Sequence, residues 1–463
     1  MNAGWLLPAH GIGGRADLPL PGELVLQAGG FVVLVSFLAV GLLWKRPRFS
    51  RVDVPGRSLP AVIQRAADSP ALRLTLRGLM LALLAYLIVG AFAGPVDVNQ
   101  NPAPRALYVL AWVGMVPASL VLGPVWRVLN PLRAALRCIR PPRNSGPSRR
   151  WMQGTAGVPT KLGYWPAATG LAVFVWVELV PADRADPTVV GVFLLGYTAV
   201  VTVAAVVFGE RWFERGDPFE VYSTLVAALA PIGRRRDGVL TWRHPLRGLA
   251  GVETGPGLVA VLAVWWGSTV FDGLSGTTWW ANTAQRAGPD GLARPLLATA
   301  ALVALIALVG LSYRLATGPM AGALVSTLVP IAVGYTIAHY ASLLLTEGPR
   351  GLALLVGVHL TTAGPSPLLI AGIQVTAILV GHVAGVVAAH DRVLALSGAG
   401  AGAGREGAAH VREPALDTGA GRDDPGHDDP GHDDPGRRLA DQVPLVMIMI
   451  VYTMTGLYLL VIA

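Results

Sequence analysis

Three things are scarce in this sequence: cysteine, charge and recognisable catalytic motifs. Cys138 is the only cysteine in the chain, so neither a disulfide nor a thiolate metal cluster can form within one molecule. Charged residues make up 14% of the chain, well below the roughly one quarter that is typical of soluble domains. The sequence contains no P-loop, GxSxG, Rossmann or CxxCH motif, which argues against a nucleotide-driven pump or a flavoprotein.

Long apolar stretches are what the sequence has instead. Hydrophobic residues make up 53% of the chain, and the mean hydropathy is +0.54. We predict an all-α, polytopic helical membrane protein with about ten transmembrane helices and short interfacial helices, because each crossing needs about 20 apolar residues. The predicted spans are 24–44, 77–94, 107–125, 165–182, 188–209, 256–273, 295–313, 321–346, 367–389 and 443–462.

The charges divide the chain into domains and sides. All but six of the 36 Lys and Arg fall in alternate loops, and such loops face the cytoplasm. Both termini are then extracytoplasmic, and the net charge of +8 is no reason to expect nucleic acid. The predicted domains are an extracytoplasmic tail (1–23), a nine-helix membrane domain (24–396), a disordered Gly/Asp/His-rich cytoplasmic linker (397–441) and a tenth transmembrane helix (442–463).

Two spans end in a similar way. GPVWRVLNPLRAAL begins at Gly123, and GERWFERGDPFEVYS begins at Gly209. Each segment carries a tryptophan and then a polar-Pro step, Asn130-Pro131 or Asp217-Pro218. Asn and Asp favour the N-cap, and proline favours the first helical position, so we predict short helices along the inner leaflet.

Polar residues inside late spans are the candidates for function. Tyr335, His339 and Ser342 recur at helical spacing on one face of the eighth span. Gln374 and His382 interrupt the ninth span. Ionisable groups at such depth are costly and often mark a binding site or an ion pathway.

Two acids lie at a similar predicted depth. Glu178 belongs to the fourth span, and Asp272 shares a face of the sixth span with Trp265 and Ser268. We therefore predict an outward-facing polar chamber in which Glu178, Asp272, His339 and Gln374 meet. His382 and the His390-Asp391-Arg392 run, on the inner side, would continue a path across the membrane.

The roles follow from the residue types. We assign catalysis to His339, Asp272 and Glu178. Substrate or pathway contacts are assigned to Tyr335, Ser342, Gln374, His382 and Trp265. A divalent metal would use His339 and Asp272, although no HExxH spacing is present. A second interpretation is purely structural, in which the histidines bond neighbouring helices and His390 caps a helix end.

Several segments resemble bacterial polytopic membrane proteins that carry the name fenitrothion hydrolase. They are HGIGGRADLPLP near His10, GDPFEVYS at Gly216, STVFDGL at Ser268, AHYASLLL at Ala338, GHVAGVVAAHDR at Gly381 and PLVMIMIVYTMTGLYLL at Pro444. The resemblance implies a multi-pass enzyme of the bacterial inner membrane that hydrolyses organophosphorus esters. Its partners would be the bilayer and a lipophilic small molecule, and a bound metal could activate water.

Two alternatives use the same residues. A secondary transporter or metal permease fits the repeated segments and the ionisable groups on both sides of the membrane centre. A non-catalytic membrane subunit with His339 and His382 as haem ligands is the other. His339 and His382 are about 13 Å apart along the membrane normal at 1.5 Å per residue, too far for one iron.

Overall fold

The computed structural model describes residues 22–50, 56–139, 159, 161–287, 291–361, 363–409 and 443–462. Residues 1–21 of the predicted tail and residues 410–441 of the predicted linker lie outside this part of the chain. The described residues are mostly helical, which confirms the all-α class. The predicted linker begins within a helix, because the helix that starts at Pro367 continues to Ala409.

The helices are numbered here in chain order. They are α1 (Gly22–Leu43), α2 (Ala61–Asp68), α3 (Pro70–Ala93), α4 (Pro102–Leu122), α5 (Val125–Leu129), α6 (Pro131–Ile139), α7 (Trp165–Leu179), α8 (Pro187–Phe208), α9 (Trp212–Gly216), α10 (Pro218–Ala227), α11 (Leu258–Ser275), α12 (Thr278–Arg286), α13 (Ala293–Thr317), α14 (Val329–Leu355), α15 (Pro367–Ala409) and α16 (Val443–Ile462). Helix α4 winds as a π-helix over Arg105–Val113, and short helical turns cover 245–251 and 318–328.

Seven helical stretches in the described residues are long and apolar enough to cross a membrane. One of them, Ala293–Leu355, contains both α13 and α14 with the turns at 318–328 between them. The apolar helices Trp165–Leu179 and Val443–Leu459 are shorter than the length needed for a crossing. A multi-pass membrane protein is therefore supported, while the number ten stays a prediction.

A small antiparallel sheet joins two loops. Strand β1 (Arg57–Ser58) pairs with β3 (Leu240–Trp242), which also pairs with β2 (Ile232–Arg234). The register places Ser58 and Gly233 on either side of Thr241. Both loops belong to the basic set, so their pairing agrees with the prediction that they share one side of the membrane.

The closest helix packing lies between α14 and α15. A Cβ atom added to Gly334 would lie 2.4 Å from the Ala377 carbonyl oxygen, and one added to Gly381 would lie 2.7 Å from that of Pro330. Small residues let apolar helices approach until their backbones touch, and dispersion then holds them. The sequence GxxxG step at Gly381 and Gly385 is thus the contact face that its spacing indicates.

The two repeated segments fold in the same way at first. Gly123 and Gly209 both take positive φ angles, 88° and 86°, and each ends a long helix. Asn130 then caps α6 by accepting from the Leu132 N–H, and Asp217 caps α10 by accepting from the Phe219 N–H. The predicted caps are therefore confirmed.

The predicted position of α10 is wrong. Nine of its ten residues are buried, so it lies inside the bundle and not along a surface. The reason is aromatic packing, because the Tyr222 ring stacks on Trp112 at 4.4 Å and meets Trp265 edge-on at 4.7 Å. Phe219 likewise meets Phe174 at 5.2 Å, so α10 fills the space between α4, α7 and α11.

Candidate functional site: a buried histidine–aspartate pair

Three apolar helices bring the candidate residues together. Helix α7 supplies Glu178, α11 supplies Asp272, and α14 supplies His339. Helix α11 packs against both α7 and α14, and it is the helix with the largest buried share among the predicted crossings. Asp272 and Glu178 lie near the C-terminal ends of their helices, which places both acids toward the same end of the bundle.

His339 and Asp272 form a direct pair. Nε2 of His339 lies 2.7 Å from Oδ2 of Asp272. The exposed fractions of the two residues are 4% and 0%. An ionised carboxylate can only accept, so the hydrogen atom between them belongs to His339 Nε2 when Asp272 is charged. The pair thus has two arrangements, a neutral imidazole beside a carboxylate or a full ion pair.

A second acid and an arginine extend the pair. Glu178 is 4% exposed, and its carboxyl group is close enough to Asp272 for the two charges to repel. Arg184, in the loop after α7, interacts with both acids. Burial lowers the pKa of the Arg184 guanidinium, and the two carboxylates oppose that shift.

Tyrosines surround this group. The Tyr340 hydroxyl hydrogen-bonds with Asp272, and its ring meets the His339 imidazole edge-on at 4.7 Å. The Tyr108 hydroxyl donates to the Arg184 backbone carbonyl at 2.8 Å, which fixes the loop over the acids. We name Glu178, Arg184, Asp272, His339 and Tyr340 the acid cluster.

The acid cluster is incompletely hydrogen-bonded. Within the described part of the chain, Oε2 of Glu178 has no hydrogen-bond partner. The nearby Tyr222 hydroxyl, which is buried on α10, has none among the described residues either. Unsatisfied buried polar atoms are rare and commonly mark an unfilled site or a mobile proton.

The remaining predicted residues have mixed positions. Tyr335 is buried, and its ring centre lies 6.0 Å from that of His339. Trp265 donates from Nε1 to the Thr336 hydroxyl at 2.9 Å, so it joins α11 to α14 below the pair. Ser342 is buried on α14. Trp265 therefore has a helix-joining role that its sequence position did not indicate.

Gln374 and His382 do not join the acid cluster in any hydrogen bond or ion pair of the described structure. His382 Nδ1 donates to the Ile378 carbonyl one turn earlier, at 2.8 Å. His382 Nε2 and Gln374 Oε1 are buried without a hydrogen-bond partner among the described residues. The predicted chamber thus contains Glu178, Asp272 and His339, while Gln374 makes no visible contact with them.

The inner end of the predicted path is a tether. The Asp391 carboxylate accepts from the backbone N–H groups of Phe49 and Ser50, at 3.1 and 2.8 Å. His390 Nε2 lies 3.0 Å from the Trp44 carbonyl oxygen, to which it donates. These bonds hold the segment after α1 against α15, which is the structural interpretation of these residues.

The metal interpretation finds little support in the ligand set. Among the residues that the structure describes, no group of three or more His, Cys, Asp or Glu side chains is arranged to hold a metal ion. His339 and Asp272 supply two ligands, whereas catalytic metals usually take three from the protein. Moreover, the two ligand atoms bond each other at 2.7 Å.

Sequence reasoning missed Arg184 and Tyr340. Arg184 counted only as one of the few basic residues outside the basic loops, and that exceptional position was the available signal. Tyr340 directly follows His339, but one sequence cannot show that both side chains turn toward Asp272. A buried ion pair was also missed, Arg105 Nε to Glu347 Oε2 at 2.8 Å, which links α4 to α14.

A second buried polar group was missed as a group, although its caps were predicted. Asn130 donates from Nδ2 to Asp217 at 2.8 Å and to Glu220 at 3.1 Å, so the two repeats meet at their caps. Arg133 donates to Glu220 at 2.6 and 3.0 Å in bidentate fashion. The Tyr197 hydroxyl completes it with a bond to Asp217 at 3.0 Å. We name these five residues the cap cluster.

The pKa values of the cap cluster are set by burial. Burial, together with the neighbouring Glu220 carboxylate, raises the pKa of Asp217 to about 7. The hydrogen bonds from Tyr197 and Asn130 oppose this shift. Burial lowers the pKa of Arg133, but its bonds to Glu220 outweigh that effect and raise it.

Comparison with known proteins gives no family. A scan with protein-family models, a search of curated proteins and a search of solved structures each found no match. Function must therefore be argued from the acid cluster itself.

Proposed function

We propose that this chain is a secondary transporter in which the His339–Asp272 pair binds and releases a proton. The 2.7 Å contact between two buried titratable groups, on helices apolar enough to cross a membrane, carries the proposal. Intramembrane ionisable residues of this kind commonly serve as proton relays.

Charge balance supports a single exchanged proton. Glu178 and Asp272 contribute two negative charges when both are ionised, and Arg184 contributes one positive charge. One proton on His339 or on an acid makes the group neutral, and its loss leaves one uncompensated negative charge. Such a charge is costly in a buried site, so proton loss favours entry of a second solute or a change of conformation.

Proton binding can be measured before any cargo is known. We would reconstitute the protein on a solid-supported membrane and record the transient current after a rapid change of pH. The wild-type protein should give a current, and Asp272→Asn should lose it because the pair can no longer exchange its proton. His339→Gln should behave in the same way.

Exposed Glu214 offers a matched control. Its exposed fraction is 46% in the ion pair with Arg127, so Glu214→Gln should keep the full current. A wild-type protein that is folded, inserted and silent at every pH step would remove the proposal. So would an unchanged current in both Asp272→Asn and His339→Gln.

A hydrolase is the second candidate, and the same pair favours it. An imidazole oriented by a buried carboxylate is the arrangement of a general base, which could activate water against a lipophilic phosphotriester. The sequence resemblance to proteins named fenitrothion hydrolase points to that substrate class. This version needs no metal, in keeping with the two-ligand set.

Ester cleavage separates the two candidates. Release of nitrophenol from an aryl phosphotriester by the purified protein, abolished in His339→Ala and insensitive to chelator, would support the hydrolase. Full activity in His339→Ala would exclude the pair as its base. Pure transport predicts pH-dependent current with no cleavage.

For the topology, we propose ten crossings of a bacterial inner membrane with both termini extracytoplasmic. The basic loops support this orientation, and exposed Cys138 offers a native reporter in one of them. A membrane-impermeant maleimide should label Cys138 only after the cells are opened. In a Cys138→Ser background, Asn99→Cys should be labelled in intact cells, and the reverse pattern would invert the topology.

A further inference from the structure

An apolar cleft lies apart from the acid cluster, between α3, α4 and α8. Its volume is about 210 Å³, and its walls include Leu83 of α3, Leu110 and Ala111 of α4, and Leu194 of α8. All three helices are among the stretches that are long and apolar enough to cross a membrane. The cleft is therefore at the depth of the hydrocarbon layer.

The cleft is elongated along α4. Its lining on that helix runs from Ala106 to Ala118, and Ala111 and Gly114 lie between them. At 1.5 Å per residue this is roughly 18 Å, more than half of a hydrocarbon core of about 30 Å. Small side chains make the space, and its length suits an extended chain better than a compact ring.

The cleft opens on a surface that carries apolar side chains. Leu83 and Leu110 on its wall are only half-buried. Leu79 and Val121, on the same two helices, are 63% and 61% exposed. An apolar space of this kind stays dry and takes apolar molecules, and the molecules at this surface are lipids.

One end of the cleft is polar. Tyr197 and Trp126 line it there, and Trp126 follows the end of α4 at Leu122. Tyr197 donates its hydroxyl hydrogen to Asp217. The buried indole nitrogen of Trp126 lies beside that hydroxyl and makes no hydrogen bond of good geometry within the described residues. Tryptophan at a helix end is typical of the level where lipid ester groups lie.

We propose that the cleft binds one acyl chain of a membrane lipid. The chain lies along α4, and its ester carbonyl accepts a hydrogen bond from the Trp126 indole N–H. The proposal does not depend on the acid cluster, because none of the five residues of that cluster lines the cleft.

A photoreactive lipid can test this. The protein would be placed in nanodiscs that contain phosphatidylcholine with a diazirine on one acyl chain, irradiated and digested. Adducts should concentrate on peptides of α3 and α4 that line the cleft. Ala111→Phe, which fills the cleft, should lower those adducts by about tenfold, equivalent to about 1.4 kcal/mol of binding free energy.

Val192 provides the matched control on α8. It is 60% exposed and does not line the cleft, so Val192→Phe should leave the adducts unchanged. Ala118→Leu is a milder filling variant if Ala111→Phe fails to fold. Asp272→Asn should keep the adducts whatever it does to proton currents, which separates this proposal from the transporter.

Three results would overturn the proposal. The first is labelling spread evenly over all lipid-exposed helices. The second is labelling at the cleft that neither filling variant reduces. The third is displacement of the lipid by a small amount of triphenyl phosphate, which would make the cleft a site for compact aryl esters.

Discussion

The acid cluster and the cap cluster are both buried groups of charged side chains, yet they are built in opposite ways. In the cap cluster, Asp217 accepts from two side chains and from the backbone of its own helix, and Glu220 is held by a bidentate arginine. In the acid cluster, Glu178 keeps an oxygen without a hydrogen-bond partner in the described structure.

The difference separates a structural group from a working one. A buried polar network that is fully hydrogen-bonded fixes helices in one arrangement, whereas an incomplete network is costly and persists where a function needs it. The cap cluster holds the two repeats together at Asn130 and Asp217. The acid cluster can change its proton count, and we place the function there.

The largest expected effect comes from breaking the cap cluster. Glu220→Gln leaves Arg133 buried with only partly exposed Glu210 as a charged partner, at 3.0 Å. Removing one member of a buried ion pair costs about 3 kcal/mol or more, so the free energy of unfolding should fall by about that amount. Denaturant unfolding of the purified protein in mild detergent measures it.

Glu214→Gln is the control for that variant. The Arg127–Glu214 pair is about half exposed on both sides, so its loss should cost less than about 1 kcal/mol. Equal losses for the two variants would show that burial does not strengthen the cap cluster.

The second prediction concerns pH. Because the pKa of Asp217 is about 7 in the folded protein and 3.8 without the shift, the folded protein holds a proton that the unfolded chain has already lost. This contribution to stability is complete below about pH 4 and is lost as the pH rises through about 7, at up to about 1.4 kcal/mol per pH unit.

Asp217→Asn tests the assignment, since asparagine is neutral and still caps a helix. Melting temperatures measured from pH 4 to 8 should fall with pH in the wild-type protein and should change less in the variant. The same slope in both proteins would assign the titration to another group, such as Glu220.

The third prediction concerns the asparagine cap. Asn130→Ala removes the cap of α6 and the donors to Asp217 and Glu220, so it should cost about 2 kcal/mol. Ser69→Ala removes a more exposed cap, on α3, and should cost about 1 kcal/mol or less. Thermal unfolding of both variants gives the ratio, and a larger loss for Ser69→Ala would contradict the role of the cap cluster.

Sequence patterns predicted the parts of this fold that local chemistry decides. Apolar runs indicated the helices, and the Asn-Pro and Asp-Pro steps indicated the caps at Asn130 and Asp217. Small residues at helical spacing indicated the close contact at Gly381. Each of these depends on neighbours within a few turns, which a single sequence contains.

Contacts between distant helices were beyond reach. A membrane helix is apolar on its lipid-facing side as well as inside, so periodicity does not show which face is turned inward. The predicted depths of Asp272 and His339 agree with their contact, but equal depth also suggested Gln374, which makes no such contact. The burial of α10 follows from the ring of Tyr222, and nothing local announces it.

The smallest expected effect is the sharpest test of the comparison. Glu178 is as buried as Glu220, with 4% and 1% exposed, so burial alone predicts equal losses when either becomes glutamine. Glu178 has no hydrogen bond to its Oε2 in the described residues and is repelled by Asp272, so Glu178→Gln should change the free energy of unfolding by less than about 1 kcal/mol. Chemical unfolding of both variants in the same detergent measures the difference. A loss near that of Glu220→Gln would mean that Glu178 belongs to a satisfied network, and the acid cluster would then be structural.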